Sequence, residues 1–245
     1  MVMSLSFFNG EPIAKVGNKV IHLDDKVDED SFTDITLQKD TFTLLPSKTG
    51  RSIFYITAPS GSGKSYLARE IIQEYHKMFP KRPVYVFSSL DSDETLDTLK
   101  YIKRIKIGKE QFLESELTTE DFKDSLTLFD DVDCLTNKKV LKKTMDILNS
   151  ILQTGRHFNS SCIYTSHNST AGHASKIILN ESHVIVLFPS TAGGKMMRYL
   201  CDQYLGLSKQ QIEKMKNMQS RWCAVFRAYP RAIVTQNQAS LLKDF

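Results

Sequence analysis

The chain has 245 residues, 41% of them hydrophobic, and a formal net charge of +4 at pH 7. That is apolar material for one large core, and the charge is too mild to argue by itself for a nucleic-acid partner. Cys134, Cys162, Cys201 and Cys223 lack metal-ligand spacing and no apolar run is long enough to cross a bilayer, which excludes a cysteine metal cage and a membrane-spanning helix.

Residues 1–50 read as an N-terminal β extension. Short β-type pieces at 19–23, 35–37 and 41–45 flank an acidic stretch, Asp24, Asp25, Asp28, Glu29 and Asp30. The first ten residues lack the basic and apolar regions of a signal peptide, and the scattered cysteines suit a reducing compartment. An intracellular protein is expected.

From residue 51 to 245 the pattern alternates strand and helix, as in a mostly parallel sheet flanked by helices. A strand is expected at 52–57 and a helix at 65–78, with Leu67, Ile71, Tyr75 and Met78 as its buried stripe and Pro80 as its stop. A strand follows at 84–87, a helix at 95–102 and a short strand at 105–107. Next come a strand at 126–129, a helix at 138–154 ended by Gly155, and a strand at 161–165. A strand at 184–188, helices at 195–204 and 208–217, and a hairpin of 222–227 with 232–235 around Pro230 complete the chain.

The most informative run is Ala58-Pro59-Ser60-Gly61-Ser62-Gly63-Lys64-Ser65. It lies between an apolar strand and a helix, the build of a phosphate-binding P-loop. Gly61 and Gly63 let the backbone turn several N–H groups into one concavity, at the positive end of the next helix. Lys64 would reach the β- and γ-phosphates, and the Ser65 hydroxyl would bind Mg²⁺. The full pattern begins with Gly, where this chain has Ala58. Ala costs little there unless its φ must be positive.

Leu126-Thr127-Leu128-Phe129-Asp130-Asp131 is an apolar strand ending in two carboxylates, the form of a Walker B motif. Asp130 would hold the shell of the metal. Asp131 stands where a hydrolysing enzyme places the base that orients water. Asp133 reads as a loop or helix-cap residue. The next strand ends in Thr165-Ser166-His167, any of which could sense the γ-phosphate or merely close an ST- or Asx-turn. Arg156 follows a helix C-terminus, where a cation is favoured by the dipole. It could equally be an arginine finger that reaches a neighbouring subunit's nucleotide.

Taken together, Ala58 to Ser65, Phe129-Asp130-Asp131, Gly155-Arg156-His157-Phe158-Asn159 and Tyr164-Thr165-Ser166-His167-Asn168 resemble the HerA/FtsK superfamily. Within it, the chain is similar to the poxvirus-type genome-packaging ATPases of large DNA viruses and their smaller relatives. The likeness covers roughly residues 51–234. It implies a P-loop NTPase of the additional-strand class, with a sensor strand between the Walker A and Walker B strands. It implies ATP and Mg²⁺ as ligands, Lys64 and Ser65 as their binders, and Asp130 and Asp131 as the Walker B acids. It further implies Ser166 and His167 as the sensor and Arg156 as a finger acting between subunits. Members resemble homo-oligomeric rings that drive double-stranded DNA into a preformed capsid, which makes DNA and a capsid or vertex protein the expected partners. The host cytoplasm, a viral factory or the virion would be the location. Asp131 departs from the commoner Glu.

DNA contact needs cations facing phosphates. Lys138, Lys139, Lys142 and Lys143 form one basic run, and Lys100, Lys103, Arg104, Lys106 and Lys109 another. Gly193-Gly194-Lys195 with Arg198 is a third candidate. Each also reads as an ordinary solvated face. The alternative function is a P-loop kinase of a small molecule such as a nucleoside, which would need an Arg-rich lid. A regulatory GTPase would need an Asn-Lys-x-Asp loop, and Asn137-Lys138-Lys139-Val140 lacks the Asp. A module that uses ATP only to assemble is a third possibility.

Overall fold

A computed structural model describes residues 3–29, 31–167, 172–191, 193–228 and 230–245. Asp30 of the acidic stretch and Asn168 after the strand tip lie outside the described residues. The chain divides into two compact units, Met1–Thr49 with His183–Phe245, and Gly50–Ser182.

The first unit begins with β1 (Ser4–Ser6), β2 (Glu11–Val16), β3 (Lys19–Asp24), β4 (Asp34–Thr36) and β5 (Thr43–Leu44). Four of these form an antiparallel sheet in the order β1-β3-β2-β5. Its inner face buries Leu5, Ile13, Ile21 and Leu44. β1 is only the three residues Ser-Leu-Ser and β2 carries Pro12 near its start, so neither announces itself, and their pairing with β3 makes them strands.

The second unit contains β6 (Ile53–Thr57), α1 (Lys64–Met78), β7 (Val84–Ser88), β8 (Ile102–Lys106), α2 (Glu110–Glu114), β9 (Leu126–Phe129), α3 (Lys138–Thr154), β10 (Ser161–Ser166) and α4 (Gly172–Glu181). Its strands lie in the order β6-β10-β9-β7-β8, and every pairing is parallel. β6, β9 and β10 are buried along their whole length. Burial on both faces explains why they read as continuous apolar runs rather than alternating ones. β10 lies between β6 and β9, the place expected of the extra strand. Parallel register sends the C-terminal ends of all three to one edge of the sheet, where ligands bind in α/β folds.

The helix expected at 95–102 is instead a single 3₁₀ turn, Leu96–Thr98, followed by β8. The Asp93 carboxylate accepts from the N–H groups of Thr95 and Leu96, which closes one turn only. Ile102–Lys106 then pairs in register with Val84–Ser88, and that ladder wins over local helix propensity.

The first unit resumes with β11 (Val184–Leu187), α5 (Gly194–Tyr199), α6 (Lys209–Lys216), β12 (Cys223–Phe226), β13 (Ala232–Thr235) and β14 (Gln238–Leu241). A π-helical turn at Leu200–Tyr204 extends α5. β11, β12, β13 and β14 pair in sequence, antiparallel, so the expected hairpin of β12 and β13 is present. β4 adds to β14, with Thr36 opposite Gln238. Residues 1–50, set apart by composition, are therefore joined to the C-terminal strands by a sheet ladder. None of the described helices is long and apolar enough to cross a membrane.

Candidate nucleotide site

β6 delivers the chain to the loop, and the loop is anchored where it starts. The Ala58 N–H donates to the Ser166 carbonyl at 3.2 Å, so the strand tip of β10 holds the entrance. Among the described residues, the non-glycine positive φ angles belong to Asp124, Asp131 and Asn159. Ala58 is not one of them, so the missing first glycine costs nothing in backbone strain. Gly61 and Gly63 do need glycine, with φ of 76° and 103°. Gly63 is the N-cap of α1, and no side chain caps that helix and no acid stands in its first turn. The first N–H groups are thus left to face an anion.

Lys64 is only 5% exposed. Its ammonium donates to the Ala58 carbonyl at 3.0 Å and the Pro59 carbonyl at 3.5 Å, and lies 3.1 Å from His167 Nδ1. Asp131 Oδ1 is 3.7 Å away. An ammonium has only donors, so His167 Nδ1 must accept. The ring hydrogen therefore sits on Nε2, which donates to Asp131 Oδ2 at 2.8 Å. Lys64, His167 and Asp131 form one hydrogen-bonded chain of fixed polarity.

Asp130 and Asp131 diverge. The Asp130 N–H continues the ladder to the Phe87 carbonyl at 3.0 Å, and its carboxylate is buried. Burial first, and then the negative charge of Asp131, push the Asp130 carboxyl up to about 6. Asp131 sits in the left-handed region, φ 47°, and opens a 3₁₀ turn at Val132–Cys134. Asp tolerates that conformation better than most residues do. Thr165 ties the two acids together. Its hydroxyl accepts from the Asp131 N–H at 2.9 Å and has one hydrogen to give, to Asp130 Oδ1 at 2.9 Å or Asp131 Oδ1 at 3.2 Å.

The strand tip divides its three side chains. Thr165 points to the paired acids and His167 bridges Lys64 and Asp131. Ser166 is 1% exposed and donates to Asp133 Oδ2 at 2.9 Å. The same oxygen accepts from the His167 N–H at 3.1 Å. Asp133, read from sequence as a loop or cap residue, is thus bonded to the strand tip. Its contribution is invisible in the sequence because its partners lie on another strand.

Mg²⁺ in phosphate-handling sites takes few protein oxygens and completes its shell from phosphate and water. Among the described residues no group of three or more His, Cys, Asp or Glu could hold a metal alone. Ser65, second residue of α1, and the buried Asp130 carboxylate suit the sparer arrangement. A carboxyl pushed up to about 6 is one that a neighbouring cation would stabilise as the anion.

Arg156 is not brought to this cluster. β10 runs parallel to β6, with Cys162 beside Ile53 and Ser166 beside Thr57. Arg156 precedes β10 and so lies at the opposite end of the sheet from the loop. Six strand residues span roughly 20 Å, beyond the reach of an arginine side chain. The turn that carries Arg156 is firmly built. Arg51 donates to the Ile151 and Leu152 carbonyls at the end of α3, at 2.9 and 2.7 Å. A Cβ on Gly155 would come within 2.3 Å of the Ile151 carbonyl oxygen. Asn159 takes φ 51° and donates to Asp124 Oδ1. Gly155 and Asn159 serve the turn, and Arg156 and His157 are exposed on it.

The basic runs differ in availability. Lys143 donates to the Leu113 and Ser115 carbonyls and lies over the Phe112 ring, so it ties α3 to α2. Lys138, Lys139 and Lys142 are exposed. In the other run, Arg104 pairs with Asp97 at 2.5 Å, and Lys106 and Lys109 pair with Asp91 at 3.0 and 3.5 Å. Much of that charge is neutralised within the chain. Lys195 and Arg198 on α5 are exposed.

No protein-family model matches the chain. In fold it is similar to the genome packaging NTPase B204 from Sulfolobus turreted icosahedral virus 2, solved in complex with AMP. That match has a TM-score of 0.52 at 16% identity and covers 76% of this chain and 97% of that one. It is also similar to the pCW3 conjugation coupling protein TcpA, solved with ATPγS, with a TM-score of 0.54 at 13% identity over 96% of this chain and 78% of that one. At such identities the likeness establishes the fold, which is that of a P-loop NTPase with the additional strand. Sequence similarity is stronger to the uncharacterized protein V3 of Sputnik virophage, 36% identical over 249 residues, 97% of this chain and 100% of that protein. A P-loop NTPase by fold, the chain belongs to the family of Sputnik virophage protein V3.

Proposed function

We propose that this protein is an ATP-hydrolysing motor that moves double-stranded DNA into a viral capsid, of the poxvirus-type branch of HerA/FtsK packaging ATPases. The observation that carries the reading is the meeting of Lys64, Asp130, Asp131 and His167 at the C-terminal ends of three adjacent parallel strands. Support comes from the fold shared with a viral genome packaging NTPase and from a relative encoded by a virophage.

In this reading, residues 58–65 cradle the phosphates of ATP, and Lys64 exchanges its bonds to the Ala58 and Pro59 carbonyls for charge-assisted bonds to the γ-phosphate. Mg²⁺, held through Ser65 and Asp130, would neutralise developing charge on the phosphates. Asp131 orients the attacking water and takes up its proton. His167 steadies Asp131 through Nε2–H, and its Nδ1 is released when Lys64 turns to phosphate. Arg156 completes the site of a neighbouring subunit in a homo-oligomeric ring, since it stands too far from its own. Lys138, Lys139, Lys142, Lys195 and Arg198, with Lys100 and Lys103 of the partly neutralised run, are exposed cations on offer to DNA. A capsid or vertex protein is the docking partner, and the infected cell or virion the setting.

The test is phosphate release from ATP by the full chain, with and without duplex DNA. Turnover that duplex DNA raises and Lys64→Ala abolishes is the expected result. Appearance of a phosphorylated small molecule in place of free phosphate would establish a kinase instead.

A further inference from the structure

We infer that Asp133 is a positioning residue of the ATP site, which acts by holding His167 against Lys64 and Asp131. This rests on the ATPase reading and assigns a residue that the P-loop and Walker B motifs do not contain.

Three segments meet at the tip of β10. The Ala58 N–H of the loop donates to the Ser166 carbonyl. The Ser166 hydroxyl and the His167 N–H both donate to one oxygen, Asp133 Oδ2, at 2.9 and 3.1 Å. Asp133 itself stands in the 3₁₀ turn that follows the Walker B acids. The carboxylate thus spans from the Walker B segment to the sensor strand, and the sensor strand holds the loop. Bonds to an ionised acceptor are roughly twice as strong as neutral ones.

The geometry also separates the two sensor candidates. Ser166 is buried and its hydroxyl donates to Asp133, outside the cluster of Lys64, Asp131 and His167. His167 alone presents a ring to Lys64 and Asp131, at 3.1 and 2.8 Å. Its ring position is set by its backbone, and its backbone N–H is fixed by Asp133. A displacement of about 1 Å would break both ring contacts, and misplacement on that scale costs up to about 100-fold in rate.

Asp133→Ala is expected to lower kcat for ATP about 10- to 100-fold. The KM should change less than about threefold, because the loop's N–H groups and the Lys64 ammonium, which also bonds to the Ala58 and Pro59 carbonyls, do not depend on the His167 ring to meet phosphate. Asp133→Asn should retain most of the activity, because an amide oxygen can accept both bonds. That rescue separates positioning from a through-space effect of charge, for which Asn and Ala would be alike. Hydrogen exchange at the His167 amide gives a readout that needs no turnover. It should be slow in the unmodified protein and in Asp133→Asn, and fast in Asp133→Ala. Unchanged kcat in Asp133→Ala, equal loss in Asn and Ala, or an unprotected His167 amide in the unmodified protein would each overturn the inference. Failure of the ATPase reading looks different, as Lys64→Ala would then match the unmodified protein.

Discussion

At the residue scale the site stores electrostatic cost in Asp130. Its ordinary carboxyl value of 3.8 is pushed up to about 6 by burial and by Asp131. The folded state therefore holds the proton more tightly than the unfolded chain does. The associated stability is fully present below pH 3.8 and lost as pH rises past about 6, a difference of roughly 3 kcal/mol. Asp130→Asn should consequently raise the melting temperature at pH 7.5, measured without divalent cation, and flatten its dependence between pH 4 and 6. Turnover should vanish in the same variant. A lower melting temperature at pH 7.5 would mean that burial does not strain this carboxylate. Thr165→Val removes the hydroxyl that ties both acids and leaves the Asp131 N–H without its acceptor. It should cost about 1–3 kcal/mol of stability and at least tenfold in kcat. The P-loop and the paired acids were legible because each is a contiguous run whose chemistry is local. The bond of Asp133 to the strand tip was not, because Ser166 lies 33 residues away and only the pairing of β9 with β10 brings them together.

At the scale of elements, the turn before β10 shows how a sequence signature can mix fold and function. Gly155 is required by the approach of the Ile151 carbonyl, and Asn159 by its left-handed φ. Gly155→Ala should destabilise the protein by about 1–3 kcal/mol, read as a drop in melting temperature, whatever Arg156 does. The basic run on α3 divides in the same way. Lys143 bonds to α2, so Lys143→Ala should lower stability, whereas Lys142→Ala should leave it within about 0.5 kcal/mol. If these lysines touch duplex DNA, the loss in Lys142→Ala is a weaker affinity and a smaller salt slope. Helix α3 was readable to its last residue because its apolar stripe is long and Gly155 closes it. The stretch at 95–102 reads as a helix by local propensity, but Asp93 stops the turn early and a parallel ladder claims Ile102 and the residues after it. β14 is short and polar at its start, and only its neighbours β13 and β4 identify it as a strand.

At the scale of the molecule, the parallel sheet accounts for the proposed division of labour between subunits. It gathers the loop, the acids and His167 at one edge and leaves Arg156 at the other. A finger so placed can serve only a neighbour. Mixing Lys64→Ala with Arg156→Ala subunits should then restore part of the activity that each variant lacks alone, because some interfaces regain a full site. Absence of any recovery in a mixed assembly would remove Arg156 from that role. The joining of β4 to β14 could not be foreseen, since the two strands come from opposite ends of the chain and carry no motif. In the proposed function these residues turn ATP hydrolysis into movement of duplex DNA. The most direct test is the rate of phosphate release from ATP by the assembled protein as duplex DNA is titrated in. A rate that rises and saturates, and that is lost in Lys64→Ala, is the predicted result. A rate indifferent to duplex DNA would contradict a DNA-moving role.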